Sequence, residues 1–222
     1  MPSFPHLEHL GENASLLHLG TQLDASTLEQ VRQCDQLLQQ SDWPELLEIV
    51  PAYASLLLHH CIAPEQREPW FRRLLELLAD TNSPRQAEEQ PLYEIPVHYG
   101  GQHGPDLAAL ALQCGLDEGE VIALHQAAEY RVAMIGFAPG FPYLSGLDPR
   151  LATARKARPL LQVPAGSVAI GGQQTGIYPT VLPGGWHIIG YTPLAMFDPH
   201  NQQRPCLLQP GDRVRFKAID PC

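Results

Sequence analysis

The stretch VPAGSVAIGGQQTGIYPTVLPGGWHIIG, residues 163–190, decides the fold of its half of the chain. Short β-prone pieces (VAIGG, TGIYPT, WHIIG) alternate with Gly and Pro. Glycine accepts positive φ, and proline lacks the N–H a strand ladder needs, so each interruption turns the chain. Between residues 136 and 190 there are ten Gly and seven Pro in 55 residues. Many short strands at such spacing predict a closed barrel, which removes exposed sheet edges. DRVRFKAI, residues 212–219, adds a further strand.

The same region is electrically silent. From Pro159 to Phe197 there is no Asp, Glu, Lys or Arg, whereas residues 1–100 hold 5 basic and 15 acidic side chains. Residues 101–222 hold nine of each, so the whole net charge of −10 belongs to the front of the chain. An acidic front and a neutral back predict two units of different character. Nucleic-acid binding needs clustered Lys and Arg; only two lysines are present, Lys156 and Lys217, with no basic stripe beyond Arg155–Lys156–Arg158. No apolar run reaches the roughly 18 residues of a membrane span. The start MPSFPHLEHLGE lacks a basic leader and apolar core, so a cytoplasmic protein is expected. Five scattered cysteines without a C-x-x-C read as buried thiols in a reducing compartment.

Ahead of the barrel, residues 13–19 read as a strand, and Asp24 or Ser26 caps a helix with Leu28, Val31, Leu37 and Leu38 on one face. Residues 46–50 and 53–60 read as strands, Pro64–Glu65 opens a second helix, and LYEIPV (92–97) reads as another strand after the polar linker 81–91. The order β-α-β-β-α-β is that of a ferredoxin-like α/β sandwich. Further on, helices open at Pro105–Asp106 and at Asp117, where Glu120 completes a capping box.

Three clusters carry candidate chemistry, each with a plain structural alternative. In MIGFAPGFPYLSGL (134–147), glycines permit close backbone approach and Phe137, Phe141 and Tyr143 supply flat walls; a barrel-corner loop would look the same. In 163–180, Ser167, Gln173, Gln174, Thr175 and Tyr178 set neutral donors and acceptors among small residues, as a ligand pocket does; a run of tight turns with solvated side chains is the alternative. In PGGWHIIG (183–190), Trp186 covers either a ligand or the core. His125 is the acid–base candidate, and Arg150, Arg155 and Arg158 are the cations near the glycine-rich segments, suited to a carboxylate or phosphate. Each fits a structural role equally well. His98 and His103 lack a third metal ligand, and no metal site is expected. No P-loop, nucleophile elbow, dinucleotide fingerprint or H-E-x-x-H occurs.

Three strings, GFAPGFPYLSGLDPRL (136–151), VPAGSVAIGGQQTGIYPT (163–180) and PGGWHIIGYTPL (183–194), closely resemble the B-subunit family of bacterial 5-oxoprolinase. That family includes the sporulation-kinase inhibitor and the allophanate hydrolase subunit 1 homologues. PAYASLLL (51–58) and IPVHYGGQHGPDL (95–107) fit as well. The resemblance implies an α+β protein, with the ferredoxin-like α/β domain over residues 1–91 and a cyclophilin-like β-barrel over 92–222. It implies one component of a hydrolase that works with the family's A subunit and its larger, cyclophilin-like C subunit. Together these open 5-oxo-L-proline to L-glutamate with ATP hydrolysis. The alternatives within the family are inhibition of a sensor histidine kinase and hydrolysis of allophanate, a urea-derived carboxamide. The resemblance brings ATP as a cofactor, bound by this chain, at the interface with the C subunit, or mainly on the partner subunit; the absent P-loop leaves the three open. If the shared motifs line the site, Phe141, Pro142 and Tyr143 are walls, and Ala165, Gly166 and Ser167 supply donors. Gln174, Thr175 and Tyr178 then orient the ligand and Trp186 covers it. Arg158 is the expected anion contact and His125 the proton-transfer group.

Overall fold

A computed structural model describes residues 4–22, 24–79 and 90–219. The chain divides into two compact units, Met1–Glu89 and Gln90–Cys222. Most of the linker read at 81–91 lies outside the described residues.

The first unit contains β1 (His6–His9), β2 (Ala14–His18), α1 (Ala25–Gln40), β3 (Leu46–Pro51), β4 (Ser55–His60) and α2 (Arg67–Ala79). Asp24 caps α1 as its sequence position suggests, its carboxylate accepting from the Thr27 N–H. Pro64 opens a 3-10 turn that leads into α2. The four strands form an antiparallel sheet in the order β1-β2-β4-β3. Period-2 alternation turns Leu17, Leu56 and Leu58 inward, where Val31, Leu38, Trp70, Phe71, Leu74 and Leu78 of the helices meet them. The result is the expected two-layer α/β sandwich with one exchange of strands. The edge position beside β2 is filled by His6–His9, not by residues 92–97.

That later segment, β5 (Leu92–Tyr99), is a strand but belongs to the second unit. It is followed by α3 (Leu107–Cys114), α4 (Glu118–Ala127), β6 (Tyr130–Ile135), β7 (Pro142–Ser145), β8 (Leu160–Val163), β9 (Ser167–Gly171), β10 (Gln174–Ile177), β11 (Leu182–Gly184), β12 (His187–Tyr191) and β13 (Arg213–Ala218). Seven of these strands close a barrel in the order β10-β7-β6-β13-β5-β12-β9, and β8 pairs with β11 in a separate ribbon. The pairing of β5 with β13 is parallel, in register from Arg213↔Leu92 to Ala218↔Val97; every other pair in the barrel is antiparallel. Asp117 and Glu120 form the expected capping box at α4. Among the described residues the cysteines are free; Cys34 is buried, Cys114 and Cys206 are half-buried and Cys61 is exposed, so the expectation of buried thiols holds only at Cys34. No described helix is long and apolar enough to cross a membrane.

The barrel interior is filled. Ile95, Val97, Tyr130, Val132, Leu144, Val168, Ile170, Ile177, Ile189, Val214 and Phe216 are all buried in one cluster. Among them sits His125, from the end of α4, with 0% exposure. Its ring stacks on Phe216 at 4.4 Å. The Thr175 hydroxyl donates its one hydrogen to the Ala169 carbonyl at 3.0 Å, so it must accept from His125 Nε2–H at 3.0 Å. His125 Nδ1 is then an acceptor, and takes the Tyr99 O–H at 2.7 Å. Tyr130 donates its hydroxyl to the His125 carbonyl oxygen at 2.9 Å. Both nitrogens are engaged and the tautomer is fixed. Burial without a countercharge holds the ring neutral, its pKa lowered to about 3. The expected proton-transfer role has no physical support at this position: His125 joins α4, β5 and β10 inside the core.

Replacing His125 by Ala leaves a cavity and two orphaned hydroxyls, and should cost about 3–5 kcal/mol in chemical denaturation. Because the folded pKa lies below the unfolded value of about 6.5, the stabilisation is complete above pH ~6.5 and is lost as pH falls toward ~3, by up to about 1.4 kcal/mol per pH unit. The stability gap between wild type and His125→Phe, which cannot titrate, should therefore narrow from pH 7 to pH 4. A constant gap would contradict this assignment.

Candidate functional site

The strands that turn Thr175 and Ile177 into the barrel turn their neighbours Gly176 and Tyr178 out. On this outer face Phe141, Val163, Ala169, Tyr178, Trp186 and Ile188 form a second, smaller core, with Tyr143 and Leu182 half-buried against it. The rings meet edge to face, Phe141 lying 4.9 Å from Tyr143, 5.2 Å from Tyr178 and 5.6 Å from Trp186, the geometry that aromatic quadrupoles favour. Glycine makes this possible. A Cβ on Gly171 would fall 2.5 Å from the Trp186 indole, and one on Gly176 would meet Trp186 and Phe141 at 3.1 Å. Four aromatic residues from three separate sequence motifs thus converge on one patch.

Two features rim that patch. The loop GFAPG closes on itself through Ala138 N–H donating to the Gly136 carbonyl at 2.8 Å and Gly136 N–H to the Phe141 carbonyl at 3.2 Å. Phe137 at its tip has φ +68°. Such an i to i+2 bond with positive φ is a strained γ-turn. It holds Phe137 58% exposed, with its ring 5.5 Å from Phe141. On another side runs the loop after Leu151. Thr153 pairs with Gly172 through two backbone bonds, Lys156 N–H donates to the Gly185 carbonyl, and His187 Nε2–H donates to the Ala154 carbonyl. Lys156 is ion-paired to Asp106, which also accepts from the Ile188 N–H. Between these anchors Arg155 reaches over Trp186, its guanidinium carbon 6.0 Å from the ring centroid.

The remaining expected site residues scatter. Thr175 points into the core with His125. Pro142 is buried in β7, Ala165 is exposed and Gln174 is half-buried at the start of β10. Gly166 and Ser167 are buried, and their N–H groups are engaged, Gly166 with the Tyr178 carbonyl at 2.7 Å and Ser167 with the Pro164 carbonyl at 3.3 Å. Gly172 N–H is bonded to Thr153 in the same way. A phosphate cradle needs free N–H groups, so these turns do not fit a nucleotide. The α4 N-terminus does not either, since Asp117 caps it and Glu118 and Glu120 follow. Arg158, the expected anion contact, is exposed on the same loop as Arg155; it is Arg155 that meets the aromatic patch. Phe137 and Arg155 were visible in sequence only as one aromatic and one cation among several, because neither a γ-turn nor the direction of a loop side chain has a residue signature. Among the described residues no cluster of three or more His, Cys, Asp or Glu could hold a metal.

Comparisons with known proteins agree on a family. Residues 5–208 match the family described as carboxyltransferase domain, subdomain C and D. The chain is 42% identical over 214 residues to the 5-oxoprolinase B subunit of Escherichia coli O157:H7, covering 93% of each chain. It is 38% identical to the 5-oxoprolinase B subunit of Bacillus subtilis (strain 168), covering 96% of this chain and 92% of that one. Among solved structures, TTHA0988 superposes with a TM-score of 0.80 at 38% identity. The match covers 95% of this chain but only 40% of TTHA0988, so the chain spans about two fifths of that longer protein. The Kluyveromyces lactis urea carboxylase matches at a TM-score of 0.74 and 17% identity over 96% of this chain and 22% of that one, a likeness of fold.

Gly171 does not have a positive φ, and the nearest atoms a side chain there would meet are those of the Trp186 indole. Gly171→Ala should lift Trp186 off the sheet, at a cost of about 1–3 kcal/mol. Near-UV circular dichroism should change while the far-UV spectrum does not. An unaltered near-UV spectrum and melting temperature would mean that Trp186 is not seated on Gly171.

Proposed function

The chain belongs to the B-subunit family of 5-oxoprolinase, and from that membership we propose that it is one component of an ATP-dependent complex that opens 5-oxo-L-proline to L-glutamate. The carrying observation is identity of 38–42% along more than nine tenths of both chains with proteins of that name. The partners in this reading are the A and C subunits of the same enzyme, and the complex is cytoplasmic. A five-membered lactam is an unreactive amide, and coupling to ATP hydrolysis supplies the activation its carbonyl lacks. ATP is assigned to a partner subunit in this reading, which is supported by the absence of a P-loop and by the engaged N–H groups of Gly136, Gly166 and Gly172.

This chain's own share is the outer aromatic patch. Phe137 and Tyr143 offer flat apolar surface to a small ring, Trp186 backs it, and the neutral surroundings exclude competing carboxylates. A low-dielectric wall strengthens any polar contact made against it. The patch brings no nucleophile with an adjacent base, the arrangement covalent catalysis uses, so the reacting groups come from the assembled complex. The longer solved relative, of which this chain matches two fifths, supports a working unit larger than this chain.

Purified alone, the chain should release no glutamate from 5-oxo-L-proline and ATP. Mixed with its A and C partners it should do so with one ATP hydrolysed per ring opened, followed by coupled glutamate and phosphate assays. A folded three-component complex that consumes ATP without forming glutamate contradicts the reading, as does robust turnover by the isolated chain.

A further inference from the structure

We propose that Arg155 is the anion-recognition residue of the aromatic patch, and that it holds the carboxylate of a small flat ring lying against Phe137 and Tyr143. The identity of the ligand as 5-oxo-L-proline, a lactam carrying one carboxylate, rests on the oxoprolinase reading; the anion site itself rests on geometry.

Three observations carry it. First, of the two exposed arginines on the loop, Arg155 and Arg158, it is Arg155 that stands over the patch, and its neighbours are immobilised. Thr153 and Lys156 are tied by backbone bonds to Gly172 and Gly185, the Ala154 carbonyl is tied to His187, and the Lys156 charge is neutralised by Asp106. Arg155 is exposed and forms no ion pair among the described residues, in a chain whose net charge is −10. Second, no acidic residue occurs between Asp148 and Asp198 in sequence, so neither the loop nor the strands beneath the patch bring a carboxylate to compete for it. Third, the guanidinium stands over Trp186, and its charge reaches the hydroxyl groups of both Tyr143 and Tyr178. A guanidinium held over an aromatic face by a cation–π contact, with no carboxylate partner, keeps N–H donors for a bidentate carboxylate. Phe137, fixed by its strained turn with its ring 5.5 Å from Phe141, supplies an exposed flat surface at the edge of the same patch. Strain of this kind persists where the surroundings over-determine it and clusters at ligand clamps.

The test uses the assembled complex and, separately, the full chain. In the complex, Arg155→Ala should raise KM for 5-oxo-L-proline by about 10- to 100-fold, the loss of one charge-assisted bidentate contact, with kcat changed by no more than about threefold. Arg155→Lys keeps the charge without the fork and should fall between. Being exposed, both variants should melt with wild type. In the full chain alone, 5-oxo-L-proline should shift the Trp186 indole N–H resonance saturably, and 2-pyrrolidinone, the same ring without a carboxylate, should not. In Arg155→Ala neither should. An unchanged KM, equal response to the two lactams, or tighter binding of inorganic phosphate than of 5-oxo-L-proline would overturn the assignment. A wild-type complex that leaves 5-oxo-L-proline intact would sink the functional reading instead, and the indole titration with 5-oxo-L-proline and phosphate would still decide whether Arg155 binds carboxylates.

Discussion

Closure of the barrel depends on the parallel pairing of β5 with β13. Strands from the two ends of the unit meet in register from Leu92 to Val97 and from Arg213 to Ala218. Every other neighbour relation in the barrel is antiparallel, and without this pair the sheet would be open with two edges. Closing it gives each strand an inside and an outside, and the inside is too small for anything but side chains. Ile95, Val97, Val214 and Phe216 of the closing pair supply part of that filling. His125 completes it, donating to Thr175 and accepting from Tyr99. The barrel interior is therefore packed scaffold, and the proposed site is on the outer face.

That division explains how the shared motifs work. Within QTGIY, residues 174–178, Thr175 and Ile177 build the core while Gly176 and Tyr178 build the patch. Gly171 and Gly176 leave room for the Trp186 indole to lie against the sheet, and the indole in turn fixes Phe141 and Tyr143. A motif read as one ligand-binding unit is thus two interleaved sets with different physical duties. Residues such as Gly166, with φ +78° beneath the Tyr191 ring, belong to neither and make the turn that lets β9 begin.

The architecture is largely legible in the sequence because its signals are local. Asp24 and Asp117 cap helices through their own side chains, and the Gly and Pro punctuation marks the short strands. What escapes is long-range. LYEIPV reads as a strand in either unit, and only its pairing with residues 213–218 assigns it to the barrel. The edge strand His6–His9 is too short to announce itself. At the site, Phe141, Tyr143, Tyr178 and Trp186 do come together, since aromatics between glycines must pack on something. Thr175 and His125 part from them because one sequence cannot tell which face of a strand a hydroxyl takes until the register is known. The donors expected at Gly166 and Ser167 are engaged by neighbouring turns, a fact that only hydrogen-bond partners reveal.

The account places function on the outer aromatic face and stability in the interior. The most direct measurement is a pair of substitutions assayed together in the assembled complex for both melting temperature and steady-state kinetics. Thr175→Val, inside, should lower the melting temperature and leave kcat/KM for 5-oxo-L-proline nearly unchanged. Phe137→Ala, outside, should leave the melting temperature alone and lower kcat/KM by about tenfold or more, the loss of one large apolar contact. The reverse pattern, with turnover sensitive to Thr175 and indifferent to Phe137, would contradict the assignment of the working face.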